Sequence, residues 1–189
     1  MIFDADQGVN FGTWDDPVSR LMYGHSTPIF LDMVDYSGSV YDLGGGNGLL
    51  KQYIPHSISV DIDQNKQPDV IQDIRQFSTK CDLVVIRYVL HYFSDKDVVN
   101  LITHIKEHAK KVMVIQFCNE GVHLKVKRQI SKQSDERKYF RNSNHLFRLL
   151  SRPIDIRSVS YTVTPVFYEN RLKINVNCSH SETVFGIVL

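Results

Sequence analysis

Cysteine is scarce and poorly placed for cross-linking. Cys81, Cys118 and Cys178 are the three in 189 residues, and no two share a CxxC spacing. An odd, widely separated set cannot build a disulfide scaffold, so reduced thiols in a reducing, cytoplasmic setting are expected. No apolar run approaches the roughly 20 residues that a bilayer-spanning helix requires, so no membrane partner is expected. The N-terminus lacks a basic segment followed by an apolar one, and a secretory leader is not expected either. Internal repeats and low-complexity tracts are missing too, which favours one ordinary domain over an array. With 42% hydrophobic and 23% charged residues, the chain is long enough to bury a sizeable core.

An excess of one charge is also lacking, the formal net charge being +1. The balance hides an asymmetry. Residues 1–50 carry Asp4, Asp6, Asp15, Asp16, Asp32, Asp35 and Asp42 against Arg20 alone. The stretch from Lys125 to Arg148 holds Lys125, Lys127, Arg128, Lys132, Arg137, Lys138, Arg141 and Arg148 against Asp135 and Glu136. Such a stretch can meet an anionic partner such as RNA, but solvated helix faces are routinely built this way, and that is the expected role.

The hydrophobic period changes along the chain. Thr13 to Pro17 is a capping pattern ending in a proline suited to a first helical turn. Ser26-Thr27-Pro28 opens a second helix with Ile29, Phe30, Met33 and Val34 at helical spacing. Short β-branched runs follow in "SVYDLG", "SISVDID" and "PDVIQDI", and "CDLVVIRYVLHYF" begins as a fully buried strand. Ser94 to Asp97 caps a helix whose inner face is Val98, Leu101, Ile102, Ile105 and Ala109. "KVMVIQFC" is another buried strand, a basic helical region covers about 122–150, and the tail reads as two strands. Strands alternating with helices imply parallel pairing with right-handed crossovers. The expected fold is a single α/β domain over 1–189: a three-layer sandwich whose mostly parallel seven-stranded sheet ends in an antiparallel edge hairpin. The first two crossovers must be stubby.

Glycine is concentrated where the first strand ends, at Gly44, Gly45, Gly46 and Gly48. Glycine there permits positive φ and lets a ligand lie against the backbone. Leu49 stands where a dinucleotide fingerprint needs its last glycine, and no Gly-Lys-Ser/Thr ending follows for a phosphate loop. The pattern is instead acid-x-G-x-G-x-G, from Asp42 through Gly44, Gly46 and Gly48. Downstream, Asp61 ends the second strand, where a carboxylate can take two ribose hydroxyls. Asp73 and Ile74 end the third strand, an acceptor for an exocyclic amine beside an amide for a ring nitrogen. Arg87 and Tyr88 end the fourth, beside the glycine loop.

Taken in order, "VYDLGGGNG", "ISVDID", "IQDIRQF" and "CDLVVIRYVLHYF" resemble the motif series of the class I S-adenosylmethionine-dependent methyltransferases. The resemblance spans about residues 36–120. It implies that Gly44, Gly46 and Gly48 line the methionine moiety of S-adenosyl-L-methionine, with Asp42 near its ammonium group. Asp61 would hold the ribose, Asp73 with Ile74 the adenine, and Arg87 would act through its backbone carbonyl. Asp63 competes with Asp61, which is preferred because it directly ends the apolar run. The Asn/Asp-Pro-Pro-Tyr/Phe tetrapeptide of amino-group DNA methyltransferases is missing, which disfavours that chemistry. His91 is a candidate general base, though a packed structural role is expected. The N-terminal segment 1–35 is expected to cover the cofactor site, with Trp14 and Tyr23 either closing over it or covering the sheet.

"RYVLHYF" resembles the small-molecule branch, so the acceptor is expected to be a small molecule. The alternatives are an RNA or tRNA methyltransferase using residues 125–148, and a non-catalytic partner subunit on the same fold. His104-Ile105-Lys106-Glu107-His108 spells an inverted zinc-protease motif. On a regular helix its histidines flank the apolar stripe and Glu107 points further round, so no metal is expected.

Overall fold

A computed structural model describes residues 27–118, 139, 141–151, 153–163 and 180–189. The expected Thr13–Pro17 cap, Trp14, Tyr23, Cys178 and most of the basic stretch lie outside the described residues. The strands are β1 (Val40–Leu43), β2 (Ile58–Asp61), β3 (Val70–Ile71), β4 (Cys81–Arg87), β5 (Ala109–Cys118), β6 (Asp155–Val163) and β7 (His180–Val188). They form one sheet in the order β3-β2-β1-β4-β5-β7-β6. β1 to β5 pair in parallel, and β7 runs antiparallel between β5 and β6. This is the expected mostly parallel seven-stranded sheet with an antiparallel hairpin at its edge.

The central strands are apolar on both faces because both faces are covered. Along β4, Val84 and Ile86 enter one core while Leu83 and Val85 enter the other. The first core is closed by α1 (Asp95–Lys106) and α2 (Ser143–Leu150), through Val98, Leu101, Ile102, Ile105, Leu146 and Leu150. The second is closed by the helical residues 27–31 and the short turn Leu49–Gln52, through Phe30, Leu31, Leu50 and Ile54. Phe30 packs so tightly on β7 that a Cβ at Gly186 would fall 2.4 Å from its Cδ1.

Two details differ from the periodicity. Ile29 is exposed and Leu31 buried, so the inward stripe is Phe30, Leu31 and Val34. Ala109 does not continue the α1 face, because the helix stops at Lys106 and Ala109 opens β5. The α1 start is as read: the Ser94 hydroxyl accepts from the Asp97 amide at 3.2 Å, and Asp95 and Asp97 complement the helix dipole. The stubby crossovers are also found, since only single 3-10 turns join β1 to β2 and β2 to β3. The basic region begins its described helix only at Ser143, capped by Asn142.

Candidate functional site

β1 lies between β2 and β4, and the connections leaving the carboxyl ends of β1 and β4 run in opposite directions, to β2 and to β5. Crevices at such switch points are where open α/β sheets bind ligands. The glycine loop sits there. Gly44, Gly46 and Gly48 have φ of +73°, +55° and +75°, the left-handed region that side-chain-bearing residues rarely enter. The loop is bound down onto β2: the Gly44 amide donates to the Val60 carbonyl at 2.7 Å, and the Gly45 amide to the same oxygen at 3.2 Å.

Asp61 is brought to this loop. Its Oδ2 accepts from the Gly46 amide at 2.9 Å and its Oδ1 from the Asp63 amide at 2.9 Å, with Lys66 Nζ 4.0 Å away. Asp63 turns elsewhere. It caps the 3-10 turn Gln64–Lys66, accepting from the Asn65 amide at 3.0 Å and Asn65 Nδ2 at 3.1 Å. The strand ends at Asp61, so the period-two rule that would align the two acids stops applying.

Asp42 and Arg87 meet by their side chains. Arg87 Nη2 donates to Asp42 Oδ2 at 2.5 Å and Nε to Oδ1 at 3.3 Å, with both groups buried. The geometry therefore gives the Arg87 guanidinium, not only its carbonyl, a part in this edge. It also commits the Asp42 carboxylate to an internal cation. That carboxylate fills the space under Gly45, where an added Cβ would lie 2.7 Å from Asp42 Cγ. Tyr88 follows with φ +55° and donates its amide to the Ile115 carbonyl at 2.8 Å, turning the chain off the strand.

Asp73 and Ile74 lie farther along the same edge, after β3. Arg75 grips the Asp73 carboxylate through Nε at 2.9–3.0 Å and Nη2 at 2.5 Å, which holds its pKa below the usual carboxylate value. Ile74 contributes its side chain to the core. His91 is buried in the turn after β4, with Nδ1 3.3 Å from Gln116 Nε2. Because the Gln116 oxygen accepts from the Leu90 amide at 3.2 Å, its NH2 faces the ring. Nδ1 is then the acceptor of this contact, which places the imidazole proton on Nε2.

Three partnerships escaped the sequence. Gln116 left the clearest signal, a lone carboxamide inside the apolar run "KVMVIQFC". Asp69 accepts from both the amide and the hydroxyl of Ser59 at 2.8 Å, and from Lys51 Nζ at 2.5 Å, bracing the chain leaving the glycine loop. Arg141, counted with the basic stretch, is buried. It donates to Asp95 at 2.8 Å, to the Leu90 carbonyl at 2.8 Å and to the Phe93 carbonyl at 2.6 Å.

No protein family and no curated protein matches the sequence. Solved structures match the fold. A magnesium protoporphyrin IX methyltransferase from Synechocystis with bound SAH superposes with a TM-score of 0.59 at 16% identity, covering 99% of this chain and 88% of that one. A SAM-dependent methyltransferase from Archaeoglobus fulgidus gives a TM-score of 0.61 at 12% identity, with 90% and 93% covered. DhpI in complex with SAM and HEP gives 0.54 at 13% identity, with 91% and 89% covered. This is the class I methyltransferase fold. On a class I methyltransferase fold the glycine loop, Asp61 and the Asp42–Arg87 pair stand together at the switch point of the sheet. Asp73 lies beyond β3, nearer the edge, and His91 lies in the turn that leaves β4.

Proposed function

We propose that the chain is an S-adenosylmethionine-dependent methyltransferase acting on a small molecule. The observation that carries this reading is the contact between Asp61 Oδ2 and the Gly46 amide at 2.9 Å. It puts a carboxylate acceptor directly against a loop of three left-handed glycines, an arrangement suited to a nucleoside with an amino-acid tail. Gly44, Gly46 and Gly48 would line the methionine moiety, Asp61 would take the ribose hydroxyls, and the backbone around Asp73 and Ile74 would meet the adenine. The Asp42–Arg87 pair would hold the loop and the end of β4 in register.

The sulfonium would supply an already activated methyl group, so the protein need only align an acceptor with it. This agrees with His91 held by Gln116 with its imidazole proton on Nε2. The small-molecule choice rests on "RYVLHYF" and on the internal use of Arg141, which removes one cation from the stretch that would serve RNA. Isothermal titration with S-adenosylmethionine and S-adenosylhomocysteine tests the reading. A micromolar dissociation constant, corresponding to about 7–8 kcal/mol, is expected. Absence of both heat and thermal shift at millimolar ligand would refute it. A screen of metabolites against tRNA for methyl transfer then separates the acceptor classes.

The two acids of the second strand give a sharper test. Asp61→Ala should weaken cofactor binding roughly ten- to a hundredfold, from loss of charge-assisted bonds worth about 1.5–3 kcal/mol. Asp63→Ala loses only the cap on its short turn and should leave the affinity nearly unchanged. The reverse ranking would mean that Asp63, not Asp61, meets the ribose.

A further inference from the structure

The motif His104-x-x-Glu107-His108 lies at the opposite edge of the sheet from the glycine loop. It stands beside the amino ends of β4 and β5, which begin at Cys81 and Ala109. On a regular helix Glu107 would neighbour His104 but lie about 100° round from His108. The last turn of α1 is not regular: the Glu107 amide donates to the His104 carbonyl at 3.1 Å and the His108 amide to Ile105 at 2.9 Å. These three-residue closures tighten the turn, and in such a turn side chains i and i+3 eclipse. The donor atoms of His104, Glu107 and His108 all come within 4.8 Å of one another.

Each group is prepared differently. His104 Nε2 donates to the Phe77 carbonyl at 2.7 Å, which fixes the tautomer and leaves a lone pair on Nδ1. His108 Nδ1 is buried without a hydrogen-bond partner among the described residues. No hydrogen bond to the Glu107 carboxylate is found among the described residues, since Lys80 Nζ donates to the Glu107 carbonyl instead. Lys110, the other nearby cation, is engaged by Asp82 at 2.7 Å. Glu107 and His108 line a cleft of about 390 Å³, shared with Ser39, Cys81 and Asp82. The site also lies at the negative end of the helix dipole, which favours a cation.

We propose that His104, Glu107 and His108 form a binding site for a divalent metal ion of the zinc class, with a fourth coordination position open to the cleft. Two imidazoles and a carboxylate are a donor set suited to zinc. Bonds of about 2.0–2.1 Å at tetrahedral angles place ligand atoms about 3.4 Å apart, so side-chain rotation closes the remaining gap. The site is independent of the proposed cofactor edge.

The test is calorimetric titration of the metal-free full chain with Zn2+, together with the visible spectrum of the Co2+ complex. One ion per chain is expected, with an intense four-coordinate Co2+ band. Removing a ligand should cost more than about a hundredfold in affinity, exceeding the loss typical of outer-shell changes. His108→Ala is the direct variant. Glu107→Gln is the second, since its carboxylate holds no structural bond among the described residues and the fold should survive. His145→Gln, remote from the cluster, serves as control and should bind as the parent does. No Zn2+ binding by the parent, or binding unchanged in both Glu107→Gln and His108→Ala, would overturn the proposal. S-adenosylmethionine affinity should be the same in all four proteins.

Discussion

Gly46→Val should abolish S-adenosylmethionine binding while the protein keeps its fold. Gly46 has φ +55°, a region that a β-branched residue enters only with strain of about 1–3 kcal/mol. The loop can escape that strain by moving, but its amide would then leave Asp61 Oδ2, now 2.9 Å away. Under the proposed reading, the variant either fills the space proposed for the methionine moiety or releases the carboxylate proposed for the ribose. Both routes lead to a loss beyond the tenfold to hundredfold expected for Asp61→Ala. Circular dichroism and the thermal midpoint check the fold, and calorimetry checks the binding. A Gly46→Val protein that binds the cofactor with parental affinity would reduce the loop to a strand-to-turn connection.

Arg87→Met should produce the largest loss of stability. Asp42 is 1% exposed and Arg87 8% exposed, and their bidentate contact neutralises two charges inside the edge of the sheet. Methionine roughly keeps the volume but strands the Asp42 carboxylate, and breaking a buried pair in this way costs about 3–5 kcal/mol. For a chain of this size the Tm should fall by roughly 6–20 °C. Asp42→Asn combined with Arg87→Met removes the stranded charge and should recover most of the loss. Chemical denaturation of the two singles and the double measures the coupling. A single variant within about 1 kcal/mol of the parent, the range of exposed pairs, would show that the pair is solvated and contributes little.

The parts of this fold legible in the sequence are those governed by short-range rules. Strand alternation and buried runs located β1, β2, β4 and β5 and the edge hairpin, because a strand covered on both faces must be apolar throughout. The Ser94 cap of α1 and the crowding of glycines behind Asp42 are likewise local, set by φ preferences and unsatisfied amides within a few residues. Asp73 shows the limit even at short range. Its place near the strand end was readable, although β3 stops at Ile71 and Asp73 caps the following turn. Its capture by Arg75 two residues later depends on a rotamer. The helix end behaved similarly: periodicity ran α1 through to Ala109, while a tightened turn ended it at Lys106.

The sequence by itself determined the order of the strands along the chain, the glycine loop and the acids at or just past the ends of the first three strands. Spacing along the chain is enough for those. Only the tertiary structure decided how the polar groups were spent. Arg87 finds Asp42 45 residues away, Gln116 orients His91 across 25, and Arg141 reaches back 51 to Leu90. A buried charge or amide must find a partner wherever folding brings one, and that partner is chosen by proximity in space, which no spacing rule encodes.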